Sequence, residues 1–367
     1  MADDKPGDIA PPVGVDEDQP TPLAPDMAPE IGSPLAVFKG QAPDAPAWFH
    51  EAVAKRPERT LVPVNGANIE LLVWGELGAP GLILVHGNSA HADWWSFIAP
   101  FLADNYRVAA MSLSGMGGSD WRETYSFETF ATEIHECAKA AGLYEAPVLP
   151  IYAGHSFGGA QVFYSAAHHP ERMSACLLVD TGFGGPPSPE EIARWEAEER
   201  AAGRTPIRFG GPRMRGAENK VYPTLEKALT RFRFMPPQVP GNLYIADFIA
   251  RRSLKPAPMP DGSGQGWTWR FDPGLWSKLD RTGMTAIDGS AVSVPMAHIY
   301  GDRSEIIKRH GLGSGRADQI PTTVPRIIIP DSEHHIMVDQ PLALVAAMRT
   351  ILAVWPRGLA NLSRARP

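Results

Sequence analysis

The fold class is decided at residues 148–160, which read VLPIYAGHSFGGA. The apolar run Val148–Ala153 is typical of a buried strand, and Phe157–His169 has the pattern of a helix. Between them, residues 154–158 fit Gly-x-Ser-x-Gly in a strand–turn–helix setting. That setting is required for a nucleophile elbow, a sharp turn that exposes a serine hydroxyl at the edge of a sheet. The sequence therefore predicts Ser156 as a nucleophile; the alternative is a glycine-lined strand end with an incidental serine.

Strand and helix patterns alternate on both sides of this stretch. Further strands are predicted at Leu61–Val64, Ile69–Trp74, Gly81–His86, Arg107–Leu113, Ala175–Asp180, Val294–Tyr300 and Arg326–Ile329. Helices are predicted at Ala45–Arg56, Asp93–Ala103, Phe127–Ala141 and Leu342–Trp355. Such alternation predicts an α/β fold with a mostly parallel sheet wrapped by helices.

Two segments break the alternation. Residues 1–45 are rich in proline and acidic residues and poor in large apolar groups, so we expect a disordered leader. Residues 183–290 are rich in proline, arginine and aromatic residues and are far too long for a loop. We expect them to form a helical cap over the sheet, inserted between the two parts of a core domain at residues 46–182 and 291–358.

Composition excludes several classes of function. The net charge of −7 over 367 residues does not suit nucleic-acid binding, and no apolar stretch approaches the roughly 20 residues of a membrane span. The two cysteines, Cys137 and Cys176, have no metal-ligand spacing, and no glycine loop has the setting of a phosphate site. The stretch Met1–Lys5 lacks the charged-then-apolar layout of a secretory signal, so we expect none. We expect a cytoplasmic protein with no metal and no cofactor; the sequence does not predict an oligomeric state.

Two further motifs follow predicted strands. His86-Gly87-Asn88 comes directly after the apolar run GLILV, where a tight turn can aim the Asn88 amide at the elbow. The Phe157 amide at the helix start can supply a second donor, so the two predict an oxyanion hole. His86 itself is interpreted as a buried structural residue.

The third motif, EHHIMVDQP at residues 333–341, follows the apolar run RIII. A loop at the C-terminal end of a parallel strand reaches the same sheet edge as Ser156. A neutral histidine there can take the serine proton and return it to the leaving group, which predicts His334 as general base.

These motifs together resemble those of the α/β-hydrolase fold family. The matching stretches are HGN at 86–88, SGMGGSDW at 114–121, GHSFGG at 154–159 and EHHIMVDQP at 333–341. The resemblance implies an eight-stranded sheet, a cap inserted after the sixth strand and cofactor-free hydrolysis. Counting back from Pro341, the family's motif places its histidine on His334 and puts His335 in the neighbouring lipophilic position.

The chain departs from the family pattern at two positions. Ser112 stands where an aspartate usually precedes Gly-x-Gly-x-Ser, and Ser304 stands where the triad acid usually lies. Two carboxylates are candidates for the acid: Asp180, at a strand end used by some family members, and Glu305, one place past the usual position. We favour Asp180, with both left open at this point.

The nucleophile type narrows the chemistry. Relatives that form an alkyl-enzyme ester, the haloalkane dehalogenases and epoxide hydrolases, carry aspartate at the elbow, whereas Ser156 suits attack on an acyl carbon. We expect a carboxylic ester hydrolase acting on a small-molecule substrate with an apolar acyl group. The alternatives are carbon–carbon bond hydrolysis by the same serine and a non-catalytic, ligand-binding member of the fold.

Overall fold

An eight-stranded sheet organises the molecule. The computed structural model describes residues 28–182, 189–201, 218–280, 292–310 and 324–364. The described strands are β1 (Glu58–Val64), β2 (Ala67–Trp74), β3 (Gly81–Val85), β4 (Arg107–Met111), β5 (Tyr125–Ser126), β6 (Ile151–His155), β7 (Ala175–Val179), β8 (Leu254–Pro258), β9 (Gln265–Trp269), β10 (Leu279–Asp280), β11 (Met296–Gly301) and β12 (Arg326–Ile329). The main sheet has the order β1-β2-β4-β3-β6-β7-β11-β12. Its β1–β2 and β2–β4 pairs are antiparallel and its other pairs parallel, which confirms the predicted α/β-hydrolase fold.

Helices cover both faces of the sheet. The described helices are α1 (Pro29–Gly32), α2 (Ala47–Ala54), α3 (Phe127–Ala140), α4 (Phe157–His168), α5 (Pro189–Ala201), α6 (Leu225–Leu229), α7 (Leu243–Arg252), α8 (Leu275–Lys278), α9 (Glu305–His310), α10 (Ile336–Asp339) and α11 (Pro341–Arg364). Strand β3 shows how the two cores form: Leu82 and Leu84 enter one apolar cluster, and Ile83 and Val85 enter the other. Because successive side chains of a strand point to opposite faces, a strand buried on both faces is apolar throughout.

Two predicted elements differ in the structure. The strand expected at Val148–Ala153 runs from Ile151 to His155, since Pro150 cannot donate to a ladder and Val148 is exposed. The helix expected at Asp93–Ala103 is instead a pair of short 3₁₀ helices, Ala92–Trp95 and Ala99–Phe101. The second contains Pro100, which removes a backbone donor, and residues 92–100 are buried rather than amphipathic.

The predicted disordered leader is wrong for residues 28–45. Helix α1 and a 3₁₀ turn at Ala36–Phe38 lie there, and Leu35 is 2% exposed within the apolar core. The Gly40 carbonyl also accepts a 2.7 Å hydrogen bond from Arg251 Nη2. One apolar side chain in this segment therefore anchors it on the core; residues 1–27 lie outside the described residues.

The segment at residues 183–290, called the insertion below, lies between β7 and β11 in the chain. Its described residues form α5 to α8, an antiparallel β8–β9 hairpin, and β10, which pairs in parallel with β5 outside the main sheet. We expected a helical cap; the described residues do include helices, but the aromatic stretch QGWTW is a strand. Residues 183–188, 202–217 and 281–290 lie outside the described residues.

Within the described ranges, no helix has the length and apolar character needed to cross a membrane. The same ranges hold no group of three or more histidine, cysteine or acidic side chains placed to bind a metal. Cys137 and Cys176 are both buried free thiols. The cytoplasmic location stays a prediction.

Candidate active site

Ser156 sits at a strained turn between β6 and α4. Its φ of 54° is positive and its ψ is −117°, a backbone conformation that costs a non-glycine residue about 1–3 kcal/mol. The turn is held by hydrogen bonds from Ser156 N to Val179 O, at 3.0 Å, and from Ala160 N to Ser156 O, at 3.1 Å. A Cβ on Gly158 would overlap the carbonyl oxygens of Val85 and His86, so only glycine lets α4 approach β3 this closely.

The turn aims Ser156 at His334. The Ser156 Oγ to His334 Nε2 distance is 2.9 Å, and His334 Nδ1 lies 2.7 Å from Asp180 Oδ1. His334 is 3% exposed and Asp180 is fully buried. Because the carboxylate accepts the Nδ1 proton, the lone pair of Nε2 is free to accept the serine hydroxyl. The three predicted residues thus form one continuous hydrogen-bonded chain.

Two neighbours fix the Asp180 carboxylate. Gly301 N donates to Oδ2 at 2.9 Å, and the Ser304 hydroxyl donates to Oδ1, the same oxygen that faces His334. Asp180 also has a positive φ of 44°, and its amide donates to Ile299 O at 2.8 Å. Ser304 thus supplies a hydroxyl donor where the family pattern led us to look for an acid.

The alternative acid lies elsewhere. Glu305 begins α9, is 44% exposed at its side chain, and pairs with Lys308 Nζ at 2.9 Å. The structure therefore brings Asp180, and not Glu305, into contact with His334.

The two predicted oxyanion donors border the elbow. A Cβ on Gly87 would come within 3.3 Å of Ser156 Cβ, so the turn at 86–88 lies directly against the serine. Among the described residues, neither the Asn88 amide nor the Phe157 amide donates a backbone hydrogen bond. Phe157 is the first residue of α4, where amides point out of the helix N-terminus.

His86 has the structural role assigned to it. Leu113 N donates to its Nε2 at 3.0 Å, so Nδ1 carries the proton and donates to Gly87 O at 2.7 Å. Burial disfavours the charged ring and lowers the pKa of His86 to about 3. This neutral histidine ties the 86–88 turn to β4.

Two more buried histidines surround His334. The rings of His155 and His335 each lie 4.8 Å from the His334 ring, centroid to centroid. Burial, helped by the proximity of His334, holds the pKa of both rings well below the usual value. His155 Nε2 donates to His334 O at 3.0 Å. His155 and His335 are therefore neutral neighbours of His334.

The other departure from the family pattern is explained by a neighbouring strand. Ser112 Oγ donates to Glu70 Oε2 at 2.7 Å and accepts the Ala92 amide at 2.9 Å. The same carboxylate oxygen of Glu70 accepts the Gly118 amide at 2.9 Å. The turn after β4 is therefore held by a carboxylate, as in the family pattern, but that carboxylate belongs to Glu70 of β2. The residue at position 112 gives no indication of it.

Sequence reasoning also missed Gln238, a buried residue of the insertion. Its Oε1 accepts from His335 N at 2.9 Å, next to the proposed general base. An isolated glutamine in an irregular segment carries no motif.

Two open cavities of about 540 and 480 Å³ lie at Glu333–Asp339 and at Arg59–Asp93, and Ser156 lines neither of them.

Comparison with known proteins identifies the family of this chain. A family model described as the α/β hydrolase fold matches residues 80–341. Esterase Rv0045c of Mycobacterium tuberculosis is 25% identical over 79% of this chain and 88% of its own length. A fluoroacetate dehalogenase of a Burkholderia species is 30% identical over 34% of this chain, and the chain spans 40% of that relative. The solved structure of E-2-(acetamidomethylene)succinate hydrolase, 16% identical, superimposes with a TM-score of 0.60 over 81% of this chain and 99% of its own. Because the family model covers most of the sequence, including the elbow and His334, the chain belongs to the α/β hydrolase fold family.

Proposed function

We propose that the protein is a carboxylic ester hydrolase that works through an acyl-enzyme on Ser156. The observation that carries this proposal is the chain of contacts from Ser156 Oγ to His334 Nε2, at 2.9 Å, and from His334 Nδ1 to Asp180, at 2.7 Å. A serine, a neutral imidazole and a buried carboxylate in this order are the parts that acyl transfer needs.

The first half of the reaction forms the acyl-enzyme. His334 Nε2 takes the Ser156 proton while Oγ attacks the ester carbonyl, and the carbonyl oxygen becomes an oxyanion. The Asn88 and Phe157 amides donate to that oxyanion, each contributing about 3 kcal/mol of transition-state stabilisation. When the intermediate collapses, the bond to the alkoxy group breaks and His334 returns the proton to the departing alcohol.

The second half repeats these steps with water. His334 removes a proton from water, hydroxide attacks the acyl carbon, and Ser156 Oγ leaves with the proton from the imidazolium. Asp180 holds the tautomer in which Nε2 is the base and stabilises the imidazolium in both halves.

An apolar acyl group suits the surroundings of the serine. Phe157 directly follows the nucleophile, and the Trp276 ring of α8 lies 5.4 Å from its ring. The esterase relative is in keeping with an ester substrate, and a serine elbow suits an acyl-enzyme rather than the alkyl-enzyme expected of aspartate.

We also propose that the insertion caps the site. Its described residues contact loops that follow three parallel strands at the sheet edge of Ser156. Ser253 Oγ meets His91 Nε2 at 3.0 Å after β3, Asp272 N donates to Gly115 O at 2.7 Å after β4, and Gln238 contacts His335 after β12.

The test is labelling with a fluorophosphonate and turnover of p-nitrophenyl esters of increasing acyl length. We expect one adduct, on Ser156, with turnover that favours apolar acyl groups over acetate, and neither in Ser156→Ala. A folded protein that gives no adduct would refute the proposal. Turnover of a vinylogous diketone but no ester would instead favour carbon–carbon bond hydrolysis.

A further inference from the structure

The loop that carries His334, residues 330–340 (the histidine loop below), is bound from outside the sheet by one side chain of the insertion. Gln238 is 2% exposed, and its Oε1 accepts from His335 N at 2.9 Å and from His335 Nδ1 at 2.6 Å. Its Nε2 donates to both carboxylate oxygens of Asp339 at 3.0 Å. One carboxamide therefore spans the histidine loop, although it lies 97 positions from His335 in the chain.

The chemistry of these bonds fixes the orientation of the carboxamide. A backbone N–H is only a donor, so the atom of Gln238 that faces His335 N is the oxygen. Burial keeps the pKa of His335 low, so its ring is neutral and the proton lies on Nδ1, which faces the same oxygen. A flipped amide would set N–H against N–H and carbonyl against carboxylate. Glutamine suits this place because it accepts on one side and donates on the other.

The backbone of His334 is thereby held on both sides. The amide of the preceding residue, Glu333, donates to Asp339 Oδ2 at 2.9 Å, and the amide of the following residue, His335, donates to Gln238. The His334 carbonyl itself accepts from His155 at 3.0 Å. Three consecutive residues thus have their main chain bonded to the side chains of Asp339, His155 and Gln238, and these bonds fix the position of the His334 backbone.

A second set of bonds keeps Gln238 in register with this loop. Gly241 N donates to Asp339 Oδ1 at 3.1 Å. Asn242 Nδ2 donates to Val338 O and Asp339 O at 2.8 and 3.0 Å. The segment 238–242 is therefore docked on the histidine loop by side-chain and main-chain bonds together.

We propose that Gln238 is a positioning residue, through which the insertion sets the placement of His334 relative to Ser156. This inference rests on the proposed function, because its consequence is a rate. Misplacement of a reacting group by about 1 Å can lower a rate about a hundredfold. Loss of the carboxamide should lower kcat by about tenfold to a hundredfold and leave KM nearly unchanged, because Gln238 bonds to His335 and Asp339 of the histidine loop.

The experiment compares Gln238→Ala with Asn219→Ala in the full chain. Asn219 also uses its carboxamide to bind main chain, donating to the Trp269 and Phe271 carbonyls, but these lie within the insertion. We expect Gln238→Ala to lose kcat and Asn219→Ala to keep it within twofold at a similar loss of thermal stability. Equal losses of kcat in both variants, or a Gln238→Ala enzyme with kcat within twofold of the parent, would overturn the proposal.

A second pair of variants covers a Gln238→Ala protein that does not fold. Gln238→Glu keeps the acceptor for His335 but sets two carboxylates against each other, so it should lose kcat. Adding Asp339→Asn restores a donor between the two side chains and should recover part of kcat. Absence of any recovery, with both proteins folded, would contradict positioning by this bond.

An NMR measurement that does not depend on turnover tests the positioning by Gln238 separately from the proposed ester hydrolysis. The proton between His334 Nδ1 and Asp180 gives a strongly downfield NMR signal when the ring is held in place. We expect this signal in the parent and in Asn219→Ala, and its broadening or loss in Gln238→Ala. An inactive parent would refute the ester hydrolase, whereas an unchanged signal in Gln238→Ala would refute positioning by Gln238.

Discussion

The nucleophile elbow and the acid corner of this site are built in opposite ways. The elbow is local: Ser156, its glycines and the first turn of α4 are consecutive residues. The acid corner joins Asp180 of the β7 end to Ser304, 124 positions away, and to His334, 154 positions away. The comparison teaches that a strained turn must be encoded where it occurs. A carboxylate that only has to reach a ring can come from any strand end within range.

The largest expected effect is at the elbow. Ser156→Ala removes the attacking oxygen, and we expect kcat to fall on the order of 10⁶-fold. The free energy of unfolding should change by less than about 1 kcal/mol, because among the described residues the hydroxyl bonds to His334 alone. Ester turnover and urea unfolding of the same preparation measure both. Residual turnover above one thousandth of the parent would contradict the assignment.

The next effect breaks the acid corner. Asp180→Asn leaves the shape but lets the His334 ring take the wrong tautomer, and we expect kcat to fall about 10⁴-fold. The matched control is Glu305→Gln, which alters an exposed pair with Lys308 and should stay within twofold of the parent. If the two results were exchanged, Glu305 would be the acid and the contact seen at Asp180 would be structural.

The third prediction concerns the neutral histidine under the elbow. The pKa of His86 is about 3 in the fold, below its usual value of 6.5. Below pH 6.5 the unfolded chain binds a proton that the folded chain refuses, so stability is lost as pH falls from 6.5 towards 3. One such group costs about 1.4 kcal/mol per pH unit across that window.

The measurement is urea unfolding of the parent and of His86→Asn at several pH values between 7 and 4.5. As pH falls, the free energy of unfolding should decrease more steeply in the parent than in His86→Asn. The difference between the two slopes should correspond to one bound proton. His298, whose pKa burial also lowers to about 3, remains in both proteins and contributes equally to each slope. Identical slopes would show that His86 titrates alike in the folded and unfolded chains.

The smallest effect sharpens the acid corner. Ser304→Ala removes one donor to the Asp180 oxygen that faces His334, and a hydrogen bond to a charged group contributes about 1.5–3 kcal/mol. Because Gly301 N still holds the other oxygen, we expect kcat to fall only about tenfold. Ser304→Thr keeps the hydroxyl and should recover most of the rate. Equal values of kcat in Ser304→Ala and the parent would contradict this prediction and show that the Gly301 amide alone holds the Asp180 carboxylate in place.

Much of this site can be predicted from the sequence, because the residues that shape the backbone at the elbow also carry the reactive group. Gly-x-Ser-x-Gly indicates a turn that tolerates few other residues. A histidine in a loop that follows a parallel strand lies at the C-terminal edge of the sheet, which is also the edge of Ser156. For the triad acid the sequence favours Asp180 but leaves Glu305 open, because the two follow neighbouring strands and sequence does not give side-chain reach. The boundary error at Val148 comes from Pro150, which cannot donate to a ladder, whereas the helix expected at Asp93–Ala103 is interrupted by Pro100, and residues 92–100 are buried.

The sequence by itself predicted the individual strands, the elbow, His334 as base and the turn at 86–88, since each prediction depends on residues close together in the chain. Only the tertiary structure decided which carboxylate meets His334, that Ser304 and Glu70 compensate for the two departures, and that Gln238 is docked on the histidine loop. Those choices depend on the distance between side chains from remote strands, and packing of the whole sheet, rather than any local preference, sets that distance.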